Sequence, residues 1–384
     1  MYFIVAALVI IVSCSVITIR VLTAYSGFFW GWKLLISSLV ILGWTAPLII
    51  GAVRRYSLFG GMAFNFLSGF LYSLFGMAFI LFCFLMLRDF LWFAVYKLAV
   101  WSGHDIPGLN PMNVKSLNWA NLLTVILSFA VSAYALYEGV KTPRLNEITL
   151  TSSKISRPAE IVLLNDLHVD RTTPLSRIQA LIAEINGLRP DAVIIAGDWV
   201  DDQASAMVPQ IAALSELKAP HGVYIVLGNH EFYNGLADWL QEFPRMGYKL
   251  LYNEGVALPE YGIYIAGIPD SHSAKGLSGA LKVDIYKALQ ASAPEDFRIL
   301  LSHSPDFIDS LYRGAVDLVV SGHTHGGQIF PFHWLVKKAN GYLAGLYNVK
   351  DMNLYVSRGA GTWGPSMRLL APAEITLIKL NPKK

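Results

Sequence analysis

Along the first 140 residues hydrophobic positions run almost without interruption, and charged residues fall mainly where the runs stop. A hydrocarbon core of about 30 Å takes roughly 20 apolar residues as helix. Four stretches match that length: 2–19, closed by Arg20; 34–53, between Lys33 and Arg54–Arg55; 62–87, closed by Arg88 and Asp89; and 119–137, before Glu138 and Lys141. None is expected to show the polar face of a soluble-bundle helix. Trp30, Trp32, Trp119 and Tyr137 lie near the ends, where amphipathic rings settle at a membrane interface. The run 90–101 is shorter and carries Lys97, so it reads as an interfacial or re-entrant piece. No Lys or Arg precedes the first stretch, which therefore reads as a retained helix rather than a signal peptide.

From Ala159 the pattern changes to short apolar runs that end in polar, glycine-bearing sequence: EIVLLND, DAVIIAGD, GVYIVLGNH, GIYIAGI, FRILLSH and VDLVVSGHTH. Their length and β-branched content predict buried strands. Helical patterns separate several of them, as in PLSRIQALIAEINGL and DIYKALQAS, and this alternation predicts a layered α/β domain. LNEITL, LYVSRG and AEITLIKL add strands and widen the construction to two sheets. The chain thus divides into a helical membrane region, 1–140, and an α/β domain, 147–384.

Composition sharpens that division. Hydrophobic residues make up 54% of the 384 residues and charged ones only 15%, too few charges for a wholly soluble protein. The net charge of +3, without a long basic block, argues against nucleic acid as a specific partner. Cys14 and Cys83 both lie in apolar segments, so neither a disulfide framework nor a thiolate metal site is expected. An even number of spans puts both termini on one side. Arg54, Arg55, Lys141, Arg144, Lys154 and Arg157 lie on that side against Arg20, Lys33, Arg88, Lys97 and Lys115 opposite, a small excess favouring a cytoplasmic C-terminal domain in a multi-pass membrane protein.

The chemistry sits where the predicted strands end. The first run ends in Asp166 and His168, the second in Asp198, the third in Asn229 and His230, the fifth in His303 and the last in His323 and His325. Carboxyl edges of strands in open α/β sheets share one crevice, where ligands bind. Five of the nine histidines therefore converge there with two aspartates and an asparagine. Imidazole mixed with carboxylate and no thiolate suits Mn, Fe, Zn, Co or Ni. So many donors exceed the needs of one ion and fit a pair sharing a carboxylate, as in two-metal hydrolytic sites.

Five separated motifs in this order, DLH, GDWVD, GNHE, SH and GHTH, resemble the calcineurin-like metallophosphoesterase superfamily. GHTHGGQ and SRGAGTWGPSMR resemble its membrane-associated bacterial branch. The resemblance spans about 147–380 and leaves the helical region uncovered. It implies an α/β/β/α sandwich of two mixed sheets flanked by helices, and hydrolysis of a phosphoester or pyrophosphate bond by a hydroxide bridging two divalent ions, manganese foremost. Asp166, His168, Asp198 and His325 would hold one ion. Asp198 would bridge to the other, held also by Asn229, His303 and His323. Strand-like alternation about Thr324 would aim His323 and His325 at different ions, and the glycines would let backbone approach the metals. His230 is implied to stabilise the transition state or protonate the leaving oxygen, with Asp201 or Glu231 orienting its neighbours.

Arg358 and Arg368, in the terminal glycine-rich stretch, are candidates for bidentate phosphate contacts. Phe330, Phe332, Trp334 and Leu335 precede Lys337 and Lys338, the composition of a lip that rests on anionic headgroups. With the membrane region, this favours a lipid-linked or otherwise membrane-borne substrate, with a soluble nucleotide-like phosphodiester as the alternative. A transporter or receptor with a regulatory metal domain is the reading from another class. Few charges at mid-span argue against it.

Overall fold

The computed structural model describes residues 2–24, 26–55, 61–104, 106–275 and 282–383. They form two compact units: Met1–Val140 with Gly364–Met367, and Lys141–Trp363 with Arg368–Lys384.

The first unit contains α1 (Tyr2–Thr23), α2 (Trp30–Arg55), α3 (Gly61–Trp101) and α4 (Val114–Val140). Each carries a window long and apolar enough to cross a membrane. The side chains of Arg54 and Arg55, used in the charge count above, lie outside the described residues. The segment 90–101 is not a separate interfacial piece, because it continues α3 without a break. No Gly or Pro occurs between residues 83 and 101 to stop the helix, and the charges that mark the expected end are partnered. Arg88 Nε donates to Asp89 Oδ1 at 2.8 Å and Nη1 donates to Asn121 Oδ1 of α4 at 2.5 Å. Asn121 Nδ2 in turn donates to the Val21 carbonyl at 3.3 Å, tying three helices together.

The expectation of helices without polar faces also needs correction. Asn121, Thr124, Ser128 and Ser132 are buried in α4 at helical spacing. The hydroxyls of Thr124, Ser128 and Ser132 each donate to the carbonyl four residues earlier at 2.7 Å, which satisfies them without a partner helix. Leu123 and Phe129 on the other side stay exposed, so the polar stripe is internal and the lipid side apolar.

The second unit opens with β1 (Arg144–Ser152), β2 (Ala159–Leu164), α5 (Leu175–Leu188), β3 (Ala192–Ile195), α6 (Val208–Leu214) and β4 (Val223–Ile225). It continues with α7 (Asn229–Tyr233), α8 (Leu236–Arg245), β5 (Lys249–Leu250), β6 (Glu254–Leu258), β7 (Ile263–Gly267), α9 (Ile285–Leu289), β8 (Phe297–Leu301) and β9 (Leu318–Ser321). It closes with α10 (His333–Asn340), β10 (Gly345–Val349), β11 (Met352–Val356) and β12 (Glu374–Pro382).

The strands form two six-stranded mixed sheets, ordered β1-β12-β2-β3-β4-β5 and β10-β11-β9-β8-β7-β6. Period-two alternation explains the layering. Ile161, Leu163, Ile194 and Val226 of the first sheet and its edge meet Ile265, Ile299, Leu301 and Val320 of the second between the sheets. Val162, Leu164, Val193 and Ile195 face outward onto helices. There Ile178, Leu181, Ile182 and Ile185 of α5 make one apolar stripe at i, i+3, i+4 and i+7. Ala266, Leu300, Val319 and Leu354 face outward on the other side, against Ala288 and Ile308. The result is the four-layer sandwich that the motifs implied. β2, β3 and β4 run parallel in one sheet, and β8 and β9 run parallel in the other.

Candidate metal centre

Every expected metal-ligand residue follows the carboxyl end of one of those five strands. Three groups of donors converge: Asp166, His168 and His325; His168, Asp198 and His230; and Asp198, His303 and His323. Within the first, His168 Nε2 lies 2.9 Å from His325 Nε2, and Asp166 Oδ1 lies 3.9 Å from His325 Nε2. Within the last, His303 Nε2 lies 3.2 Å from Asp198 Oδ2, 3.0 Å from Asn229 Oδ1 and 3.2 Å from His323 Nδ1. Asn229 Oδ1 is also 3.0 Å from His323 Nδ1. Asp198 Oδ2 connects the groups, 3.8 Å from His168 Nε2.

The separation of His323 and His325 has a different cause from strand alternation. β9 ends at Ser321, and the two histidines have φ of 69° and 49° around Thr324 in the right-handed region. The alternation of backbone hand, left, right, left, sends the rings to different groups. Thr324 holds the turn by donating to the Leu343 carbonyl at 2.6 Å. Asp166, His168 and Asp198 also have φ near 50°. Five of the expected ligands thus occupy a region that costs a non-glycine residue of order 1 kcal/mol or more, the kind of strain found at functional sites.

The glycines clear room for ligand side chains. A Cβ on Gly228 would collide with Asp198 Oδ1, and one on Gly322 would press on Asn165 and Asp166 Oδ2. Asn165 Nδ2 donates to that same Asp166 oxygen. The backbone N–H of His323 is 3.0 Å from both Asp166 oxygens, fixing the carboxylate from a second side.

The donor set fits divalent metal. The Ala196 carbonyl, 2.8 Å from His303 Nδ1, can only accept, so that nitrogen carries the proton and Nε2 faces the other donors. His168 Nδ1 lies 2.7 Å from Asp201 Oδ1, which likewise turns Nε2 inward. Lone-pair donors therefore crowd together and require a positive charge among them. Protons on the imidazoles are one source of it. Burial opposes charging His303, yet the carboxylates of Asp198, Asp166 and Asp270 raise its pKa well above the usual value. Burial likewise opposes charging His168, but Asp201, then Asp198 and Asp166, lift it to about 9. His323 moves the other way, down to about 4, because it is buried and faces the charge on His303.

Asp201 Oδ1 also lies 2.5 Å from His230 Nδ1, so one carboxylate orients an expected metal-ligand histidine and the candidate catalytic one. His230 Nε2 points back toward the site, 3.9 Å from Asp198 Oδ2. Glu231 is wholly buried. It accepts from the backbone N–H groups of Gly228 at 2.7 Å, Asp198 at 3.1 Å, Trp199 at 2.8 Å and Val200 at 3.2 Å. Burial and the charge on Asp198 push its carboxyl up to about 7 despite those bonds. It binds the loop bearing Asp198 to the turn bearing Asn229.

The two arginines do not take up phosphate-facing positions. Arg368 is fully buried, and its guanidinium donates to the carbonyls of Ala371 at 2.9 Å, Gly361 at 3.0 Å and Arg358 at 2.8 Å. Backbone carbonyls of its own stretch have captured a side chain expected to meet substrate. Its Nη2 also lies 3.4 Å from His325 Nδ1. Arg358 Nη1 pairs with Glu374 Oε2 at 2.8 Å. Asp270 is an addition. It is buried after β7, accepts from Ser304 Oγ at 2.5 Å beside His303, and follows GIYIAGI as the other site residues follow their strands. The strand-end rule would have found it.

Residues 159–327 match the model of the calcineurin-like phosphoesterase domain. An uncharacterized metallophosphoesterase of Helicobacter pylori is 36% identical over 285 residues, 73% of this chain and 76% of that protein. The chain belongs to the calcineurin-like phosphoesterase family. A metallophosphoesterase of Campylobacter jejuni is 35% identical, covering 68% of this chain and 70% of the relative. A transmembrane protein with metallophosphoesterase domain from Bos taurus is 28% identical over 376 residues, 93% of this chain and 82% of its own length. That last alignment reaches beyond the phosphoesterase unit into the helices. The protein is accordingly a membrane protein of the metallophosphoesterase family, with His and Asp clusters suited to divalent metal.

Proposed function

We propose that the protein is a dinuclear-metal phosphoesterase, with its catalytic domain at 147–384, acting on a lipid-linked or otherwise membrane-borne phosphoester or pyrophosphate. The observation that carries this reading is the place of Asp198 Oδ2, 3.2 Å from His303 Nε2 and 3.8 Å from His168 Nε2, within reach of both donor groups. Asp166, His168, Asp198 and His325 would hold one divalent ion, and Asp198, Asn229, His303 and His323 the other. Manganese is the first choice, with Fe, Zn, Co and Ni compatible with the same donors. Bound there, the ions would supply Lewis acidity, lowering the pKa of water from about 15.7 toward 7 and offsetting charge on the phosphoryl oxygens.

The chain's own residues do the rest. His230, held through Nδ1 by Asp201, presents Nε2 for proton delivery to the leaving oxygen. Glu231 keeps the Asp198 and Asn229 loops in register. Arg368 acts on His325 and its loop rather than on phosphate. The apolar spans favour a substrate held in the same bilayer, and the small excess of Lys and Arg favours a cytoplasmic catalytic domain.

The full-length protein loaded with manganese is expected to hydrolyse bis-p-nitrophenyl phosphate, and Asp198→Ala to abolish turnover. Retained turnover in that variant would overturn the shared-carboxylate scheme. Extracted membrane lipids incubated with wild type and with Asn229→Ala, then compared by mass spectrometry, test the substrate class. Unchanged lipid profiles move the assignment to a soluble phosphodiester.

A further inference from the structure

The segment after the GHTH motif folds in a way that the metal site does not explain. The short helical turn His325–Gly327 leads by way of Ile329 and Phe330 into α10. Gly327 has φ of 80°, and a Cβ there would collide with the Cα of His333, so the first residue of α10 packs directly on the ligand-bearing loop. Phe330 stacks on the His333 ring, 4.8 Å between centroids. The helix is therefore fixed beside the site, yet none of its residues is buried. Trp334 and Leu335 are 63% and 62% exposed, and Phe330 and Phe332 are exposed with them.

A second strip of chain extends the same surface. The Phe330 N–H donates to the Leu369 carbonyl at 3.1 Å, and the Leu369 N–H donates to the Gln328 carbonyl at 2.8 Å. The Gln328 side chain clasps the backbone of Trp363 through two bonds, at 2.8 and 2.9 Å. Trp363 is 57% exposed and Leu370 74% exposed. Leu370 also has φ of 58°, so the chain accepts backbone strain to hold a leucine in water. Single exposed apolar residues are ordinary, but a contiguous set beside an active-site loop marks an interaction surface.

Charge decides the occupant. From 318 to 373 the only acidic residue is Asp351, whereas Lys337 and Lys338 close α10 and are exposed. Aromatic and aliphatic side chains bordered by lysines match the apolar-polar boundary of an anionic bilayer. The chain's own spans keep it at such a surface. We propose that Phe330, Phe332, Trp334, Leu335, Trp363 and Leu370 form a lip that inserts into the headgroup region of anionic lipid, with Lys337 and Lys338 on the lipid phosphates. This rests on the protein being membrane-bound and not on its substrate being a lipid.

The test uses the full chain in nanodiscs, with Cys14→Ala and Cys83→Ala and a nitroxide on Leu335→Cys. A nitroxide on Lys218→Cys, at another exposed position, serves as the aqueous control. In discs of phosphatidylcholine with phosphatidylglycerol, the label at 335 should show a several-fold higher ratio of oxygen to nickel-chelate accessibility than the control. Lys337→Glu with Lys338→Glu should lower that ratio, while hydrolysis of bis-p-nitrophenyl phosphate by the same variants verifies the fold. A ratio at 335 equal to the control in anionic discs overturns the proposal. So does spin–spin coupling between labels at 335, which would assign the surface to a second copy of the chain. If lipid is not hydrolysed but the label is buried, the lip stands and the substrate assignment falls.

Discussion

Asp201 stands between two imidazoles, 2.7 Å from His168 Nδ1 and 2.5 Å from His230 Nδ1, and its charge acts on both rings. The pKa of His168, raised from 6.5 to about 9, fixes the direction of a pH effect. In the metal-free protein the charged ring contributes stability that is fully present below pH 6.5 and is lost as the pH rises through 9. On the proposed ligand set metal binding has the opposite sign, because an ion held by His168 would have to displace that proton. Apparent affinity for manganese is expected to climb about tenfold per pH unit for this proton and to level off near pH 9. Asp201→Asn removes the first of the carboxylates that raise the pKa, so the plateau should begin at lower pH. Its affinity there should be about 10–100-fold weaker, because the ring loses its orienting charge. Isothermal titration across pH for wild type and variant measures both effects. A plateau that does not move would mean that Asp201 does not control His168.

At the scale of elements, the turn from His325 to α10 depends on Gly327. Gly327→Ala would meet positive φ and a collision with His333, so it should destabilise the phosphoesterase unit by about 2 kcal/mol or more and displace α10. Thermal unfolding, with manganese affinity followed in parallel, checks this, and an unchanged melting temperature would count against so tight a packing. The same turn shows where sequence reading stops. Asp166, Asp198, Asn229, His303 and His323 were legible because each breaks an apolar β run, a one-dimensional signal. The left-handed backbone of five of the expected ligands leaves no such mark, so the sequence by itself suggests strand alternation as the cause of the divergence of His323 and His325. Arg368 differs for a related reason: its partners, the carbonyls of Arg358, Gly361 and Ala371, are near in sequence, but the turning of that stretch onto the guanidinium leaves no mark in the residue pattern. In the membrane unit Arg88 and Asp89 looked like the end of a span. Arg88 finds its partner Asn121 33 residues further along, which only the fold supplies, although the lack of Gly or Pro between 83 and 101 already allows α3 to continue.

At the scale of the molecule, three residues, Lys141, Thr142 and Pro143, separate the end of α4 from the start of β1. The phosphoesterase unit is thereby denied free diffusion away from the bilayer that holds the four helices. For a soluble phosphoester this tether changes nothing, since the substrate arrives from bulk water. For a membrane-borne one it sets the effective concentration, which then follows surface density rather than amount per volume. Reconstituted into vesicles at fixed protein and fixed total substrate, the enzyme should lose rate in proportion as inert phosphatidylcholine dilutes a membrane-borne phosphoester within the bilayer. Hydrolysis of bis-p-nitrophenyl phosphate in the same vesicles should stay constant, which excludes inactivation by the added lipid. A rate on the membrane-borne phosphoester that ignores surface dilution would mean that substrate reaches the metal centre through water, and would leave the short tether without a catalytic consequence.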